Sequence, residues 1–307
     1  MVVSDRYNAV VLLGATATGK TALGVSLARE FSGEIVSADS RQVYKGLDIG
    51  SGKDLGEYGN VPYHLIDITD LSAEYSVFDF QRDFRDAFDA VKAREALPVV
   101  VGGTGMYLDS IIREYEFIEV PENPDLRAEL SSLSMDGLAN RLISLKGEVH
   151  NKTDLEDRQR LVRAIEIAEG RKDHSGFQAH RGGKSDFRPL VLGVRYPRDE
   201  LRSRIKDRLF ARLDEGLVEE VARLHEAGAS WERLERLGLE YRITSEYLEG
   251  KIPSREEYSC SLLMAICRFA KRQETWFRGM ERKGVPILWL DRGDRDEALR
   301  AVSRIFA

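Results

Sequence analysis

Apolar residues along this chain follow two alternating rhythms. Ala9-Val10-Val11-Leu12-Leu13 is a short, β-branched run that ends in glycine, which predicts a strand buried on both faces. Similar runs recur at Glu34-Ile35-Val36-Ser37, His64-Leu65-Ile66-Asp67, Pro98-Val99-Val100-Val101, Pro189 to Val194 and Pro286 to Leu290. Between them the spacing becomes helical, from Lys20 to about Glu30 and again at Val77, Phe80, Phe84, Phe88 and Val91. Strands alternating with helices predict an α/β fold, a mostly parallel sheet flanked by helices. From Pro121 to Lys184 the strand rhythm stops. Leu126, Leu130 and Leu133, then Leu138, Leu142 and Leu145, then Leu155 to Ala168 predict three helices, and Gly182-Gly183-Lys184-Ser185 a flexible return. The expected organisation is a core of residues 1–120 and 188–307 interrupted by an all-helical insertion domain, residues 121–187.

Composition narrows the function classes. The 307 residues are 42% hydrophobic, enough for a sizeable core. Lys and Arg total 46 against 52 Asp and Glu, so the chain does not hold nucleic acid through bulk positive charge. Local basic faces remain. Residues 158–172 carry five basic residues against two acidic, and 268–283 carry six against two, with Arg268, Lys271, Arg272 and Arg278 on one side of a helix. No apolar run approaches the roughly 18 residues of a membrane span. Two cysteines, Cys260 and Cys267, read as buried thiols, and no leader pattern opens the chain. A cytoplasmic monomer is the expectation.

The chemistry begins where the first strand ends. Gly14-Ala15-Thr16-Ala17-Thr18-Gly19-Lys20-Thr21 fits G-x-x-x-x-G-K-[ST] between a strand and a helix, a phosphate loop (P-loop). Its glycines let successive N–H groups converge on one anion, the helix N-terminus adds partial positive charge, Lys20 brings a point charge and Thr21 a hydroxyl for magnesium. The loop alone leaves open which phosphate compound it holds. Asn151-Lys152-Thr153-Asp154 looks like a guanine-reading motif, but no buried strand precedes it and the only D-x-x-G, Asp173 to Gly176, follows it. It reads as a helix-entry loop. Asp39, just past the second strand, is a general base, a magnesium partner or a helix cap; Gly102-Gly103-Thr104-Gly105 ends the fourth strand on the same edge and offers one hydroxyl.

Six blocks in order resemble the tRNA dimethylallyltransferase (IPP transferase) family. They are the phosphate loop; Ser37-Ala38-Asp39-Ser40-Arg41-Gln42-Val43-Tyr44 and its continuation to Gly50; Val61 to Ile68; Val101 to Tyr107; Asp157 to Glu166; and Phe269 to Arg278. The resemblance implies transfer of a dimethylallyl group from dimethylallyl diphosphate to the exocyclic amine of the tRNA adenosine 3′-adjacent to the anticodon. It implies that Gly14, Ala15, Thr16, Ala17, Thr18, Gly19, Lys20 and Thr21 grip the diphosphate, with Thr21 on magnesium and an arginine, Arg204 or by preference Arg208, closing over it. Asp39 and Thr104 become catalytic. Asp39, Ser40, Arg41, Gln42, Thr104, Gln159, Arg160, Leu161, Val162 and Arg163 become contacts to tRNA, whose anticodon stem-loop leans on the insertion. His64 matches a family histidine and reads as structural. The chain departs from the family at Leu237-Gly238-Leu239-Glu240-Tyr241-Arg242 and at Lys152 to Asp157, and it lacks the zinc-finger cysteines of eukaryotic relatives. Prenylation of a free adenine nucleotide and a small-molecule P-loop kinase are the alternatives; the insertion and basic blocks favour tRNA.

Overall fold

The computed structural model describes residues 6–115, 120, 122–146, 158–173 and 186–306. The chain divides into two compact units, Met1–Tyr115 with Ser185–Ala307, and Glu116–Lys184. The expected Asn151–Asp154 loop, the start of the Leu155 helix and the Gly182–Ser185 return lie outside the described residues.

The larger unit is built on β1 (Ala9–Gly14), β2 (Gly33–Ala38), β3 (Tyr63–His64), β4 (Leu97–Gly102), β5 (Pro189–Arg195) and β6 (Leu288–Asp291), in the order β3-β2-β4-β1-β5-β6. Every pairing is parallel. β1 and β2 are buried at every residue; β1 is an unbroken apolar run, as a strand covered on both faces requires, and the polar Glu34 and Ser37 of β2 are paired with Arg94 and Gln42. Val11, Leu13, Val36 and Val100 pack on one face against Phe80, Phe84 and Phe88 of α2 (Val77–Ala93); Val10, Leu12, Ile35 and Val99 pack on the other against Leu23 and Leu27 of α1 (Lys20–Glu30). Helix α2 starts at a capping box, with Ser76 and Asp79 each satisfying the other's backbone N–H.

The third strand is shorter than its apolar run. Only Tyr63 and His64 pair with β2, because Leu65 and Asp67 adopt positive φ and turn the chain out of the sheet. Asp67 then bonds the Lys53 ammonium, which is buried and also reaches Asp48 and the Tyr44 carbonyl. His64 pairs with Glu34 at 2.6 Å, and Arg94 grips the same carboxylate; the Arg94 guanidinium pulls Glu34 down to about 2 against the opposing effect of burial. His64 is thus a strand-pairing residue.

After α3 (Gly105–Ile112) the smaller unit holds α4 (Pro124–Ser131), α5 (Met135–Lys146) and α6 (Arg158–Asp173). Leu126, Leu130, Leu138, Leu142, Leu161 and Ile165 form its own buried core. Arg158 donates to the carbonyls of Leu130, Ser131 and Leu133, closing the C-terminal end of α4. Back in the larger unit, α7 (Arg198–Glu215), α8 (Leu217–Glu226), α9 (Trp231–Arg236), α10 (Leu239–Leu248) and the 28-residue α11 (Arg255–Arg282) enclose a third apolar cluster, and α12 (Arg295–Phe306) ends the chain.

Candidate active site

Three neighbouring strand ends make the site. β2, β4 and β1 lie side by side, so Asp39, Thr104 and the phosphate loop leave the sheet on one edge. The phosphate loop turns through Ala17 at φ 63° and Gly19 at φ 77°, a left-handed bend that glycine adopts without strain. Thr18 donates to the Ala15 carbonyl at 2.8 Å and steadies the bend. Helix α1 follows with no side-chain cap, so its first N–H groups are left for an anion. Lys20 donates to the Ala15 carbonyl at 3.3 Å. Burial, reinforced by the Arg208 charge, lowers its ammonium to about 8, while Asp39 and Asp54 oppose the shift.

The second and fourth strand ends are stitched together. Thr104 N–H donates to the Ala38 carbonyl, and Ser40 N–H donates to Thr104 Oγ1 at 3.0 Å. Asp39 Oδ1 accepts from Arg41 N–H at 2.9 Å; among the described residues its second oxygen has no hydrogen-bond partner. The capping reading of Asp39 therefore engages one oxygen, and the other is available to a ligand. Thr104 stands at the N-cap position of α3, where its carbonyl accepts from Leu108 N–H; its hydroxyl does not cap that helix and instead meets Ser40, donating to Ser40 Oγ at 3.5 Å.

Both candidate arginines reach the loop. Arg204 donates to the Ala17 carbonyl at 2.8 Å and stacks over Tyr196. Arg208 meets Thr16 Oγ1 at 3.3 Å and Asp54 Oδ2 at 3.0 Å. Of the two, Arg208 offers its guanidinium to the loop's side-chain face, whereas Arg204 is engaged with backbone. Arg212, buried behind them, spends its charge on Asp54 and the Ile49 carbonyl. Glu240 lies in the same field, where burial pushes its carboxyl up to about 7 against the pull of Arg212 and Arg208.

Several residues of the blocks expected to face RNA make internal contacts. Gln42 is buried, accepts from Ser37 Oγ and donates to the Gly52 carbonyl, so its amide is committed to the loop. Leu161 is wholly buried and Val162 packs beside it in the insertion core, because they fall on the inward face of α6. Arg163 is tied to the Val120 carbonyl and to buried Glu166. Gln159 and Arg160 are exposed, and Ser40 and Arg41 half-buried, with Arg41 lying against Gly238.

Residue patterns missed three members of the site. Asp54 and Arg212 lie in segments without a motif. Gln273 sits among apolar residues on α11; it accepts from Thr16 N–H at 2.9 Å and donates to the Gly103 carbonyl at 2.8 Å. A glutamine breaking an inward-facing apolar stripe was the available signal, since a buried amide requires partners. Trp276, one turn on, covers Gly105, where a Cβ would come within 2.5 Å of the indole.

The IPP transferase family model matches residues 42–280, and a model for isopentenyl transferases matches residues 7–60. A protein named tRNA dimethylallyltransferase 2 from Treponema denticola is 58% identical over 288 residues, spanning 94% of this chain and 97% of that one. The crystal structure of a full-length tRNA isopentenylpyrophosphate transferase from Bacillus halodurans is similar at 30% identity and a TM-score of 0.70, covering 96% of this chain and 95% of that one. A eukaryotic dimethylallyltransferase captured acting on tRNA is similar at 25% identity and a TM-score of 0.76, covering 96% and 78%.

Proposed function

The chain belongs to the IPP transferase family, and from that premise we infer its reaction and the residues that perform it. It is a prenyltransferase that moves a dimethylallyl group from dimethylallyl diphosphate to an adenosine of tRNA. The acceptor is the N6 amine of the adenosine 3′-adjacent to the anticodon, and the observation that carries the catalytic assignment is the bond from Ser40 N–H, next to Asp39, to Thr104 Oγ1 on the sheet edge that also carries the uncapped start of α1.

An adenine amine is a weak nucleophile because its lone pair is delocalised into the ring. Asp39 takes its proton through the unpaired carboxylate oxygen as the N–C bond forms at the allylic carbon. Thr104 orients the amine from the neighbouring strand end. The C–O bond to diphosphate breaks, and its electron pair leaves with the diphosphate oxygen. The uncapped N–H groups of α1, Lys20 and Arg208 oppose the charge that develops there. Thr21 follows Lys20 in the first turn of α1, the position from which a phosphate-loop hydroxyl would hold magnesium, with the substrate phosphates and waters filling most of its shell. When bound, the ion neutralises part of the leaving diphosphate's charge.

The insertion, with Gln159 and Arg160 exposed on α6, and the outward face of α11, with Arg268, Lys271 and Arg272, are the surfaces assigned to the anticodon stem-loop. The enzyme is read as a cytoplasmic monomer; no described helix is long and apolar enough to cross a membrane. The test is incubation with radiolabelled dimethylallyl diphosphate and either an unmodified anticodon stem-loop or adenosine monophosphate. Label in the RNA supports the reading. Label only in the nucleotide, or hydrolysis of ATP, replaces it with nucleotide prenylation or a kinase.

A further inference from the structure

Helix α11 turns Leu262, Ile266, Ala270, Phe277 and Met280 inward, and Gln273 interrupts that stripe while only 7% exposed. A buried amide is costly unless both its ends are paired. Both are paired here, and the two partners belong to opposite halves of the cleft. Thr16 lies in the phosphate loop; Gly103 immediately precedes Thr104. The fit is close. A Cβ at Gly103 would come within 2.5 Å of Gln273 Nε2 and 3.5 Å of Lys20 Nζ.

We propose that Gln273 is a positioning residue for prenyl transfer: its amide sets the separation between the loop that holds the leaving diphosphate and the turn that holds the attacking amine. The proposal rests on the cleft assignment above. Gln273 acts through Thr16 and Gly103, so its effect falls on turnover. The uncapped amides of α1 and Lys20 grip the diphosphate locally, and removing the bridge leaves them in place. Displacement at carbon is steep in geometry, and a misplacement of ~1 Å costs on the order of 10²-fold in rate.

Two variants test this. Gln273→Met keeps length and burial and deletes both hydrogen bonds. Gln273→Glu keeps the acceptor for Thr16 and regains a donor toward Gly103 only when protonated. Each is compared with wild type in single-turnover transfer to an unmodified anticodon stem-loop, with binding of inorganic diphosphate and of the RNA measured separately. The Met variant should lose roughly 10- to 100-fold in rate while both affinities stay within about threefold. The rate of the Glu variant relative to wild type should rise on acidification. A Met variant as fast as wild type overturns the proposal, as does a loss lying wholly in diphosphate affinity. If the Met variant fails to melt cooperatively, the Glu variant decides, and a pH-independent ratio then overturns the proposal. Absence of transfer by the wild type is a different result: it removes the functional reading itself.

Discussion

At the scale of single residues, the site depends on charges held where water is partly excluded. Lys20 is the clearest case. Burial and, beside it, the Arg208 charge bring its ammonium down to about 8 in the free enzyme. A diphosphate is held by the cation, which exists below that value and is lost above it. The second-order rate constant for dimethylallyl diphosphate should therefore fall on an alkaline limb near pH 8, by about tenfold per pH unit above it. Lys20→Arg keeps its charge throughout and should lose the limb while being slower overall. A limb at the same pH in the Arg variant would assign the titration to another group. The phosphate loop was legible from residues 14–21 alone because backbone geometry of that kind demands glycine, lysine and a hydroxyl at fixed spacing. The bridging role of Gln273 was not, because its partners stand 257 and 170 residues away in the chain.

At the scale of elements, strand ends position chemistry and one long helix braces it. α11 packs over the loop after β4 so closely that Trp276 rests on Gly105. Gly105→Ala would place a methyl group within 2.5 Å of the indole. Overpacking of this kind costs about 1–3 kcal/mol. Because Thr104 is adjacent, single-turnover transfer should fall by roughly 10-fold or more. Adding Trp276→Ala should restore much of the rate by relieving the clash. A Gly105→Ala enzyme within twofold of wild type would show that this packing does not set the position of Thr104. The sequence rhythm found the sheet and its flanking helices because buried parallel strands are apolar on both faces. It misjudged β3, where Leu65 and Asp67 bend the chain out of the sheet despite an apolar run. The resemblance, not the rhythm, placed Leu161 and Val162 among the contacts to tRNA; helical geometry turns both toward the insertion core.

At the scale of the whole molecule, each unit has its own core and so its own stability. The insertion rests on six buried aliphatic side chains, with Leu130 wholly inaccessible. Leu130→Ala should cost about 2–5 kcal/mol, felt within residues 116–184. Hydrogen exchange should speed up in α4, α5 and α6, and the RNA concentration for half-maximal transfer should rise. Binding of inorganic diphosphate to the larger unit should not change. An equal loss of diphosphate binding would contradict the separation of roles. The central claim is narrower: Asp39, between Ala38 and Ser40 that bond Thr104, takes the proton of the attacking amine. Its most direct test is single-turnover transfer from dimethylallyl diphosphate to an unmodified anticodon stem-loop, wild type beside Asp39→Ala. The account predicts a collapse of roughly 10²-fold or more in rate with diphosphate affinity kept; transfer that survives in the variant would leave Asp39 a turn-forming residue and contradict the mechanism.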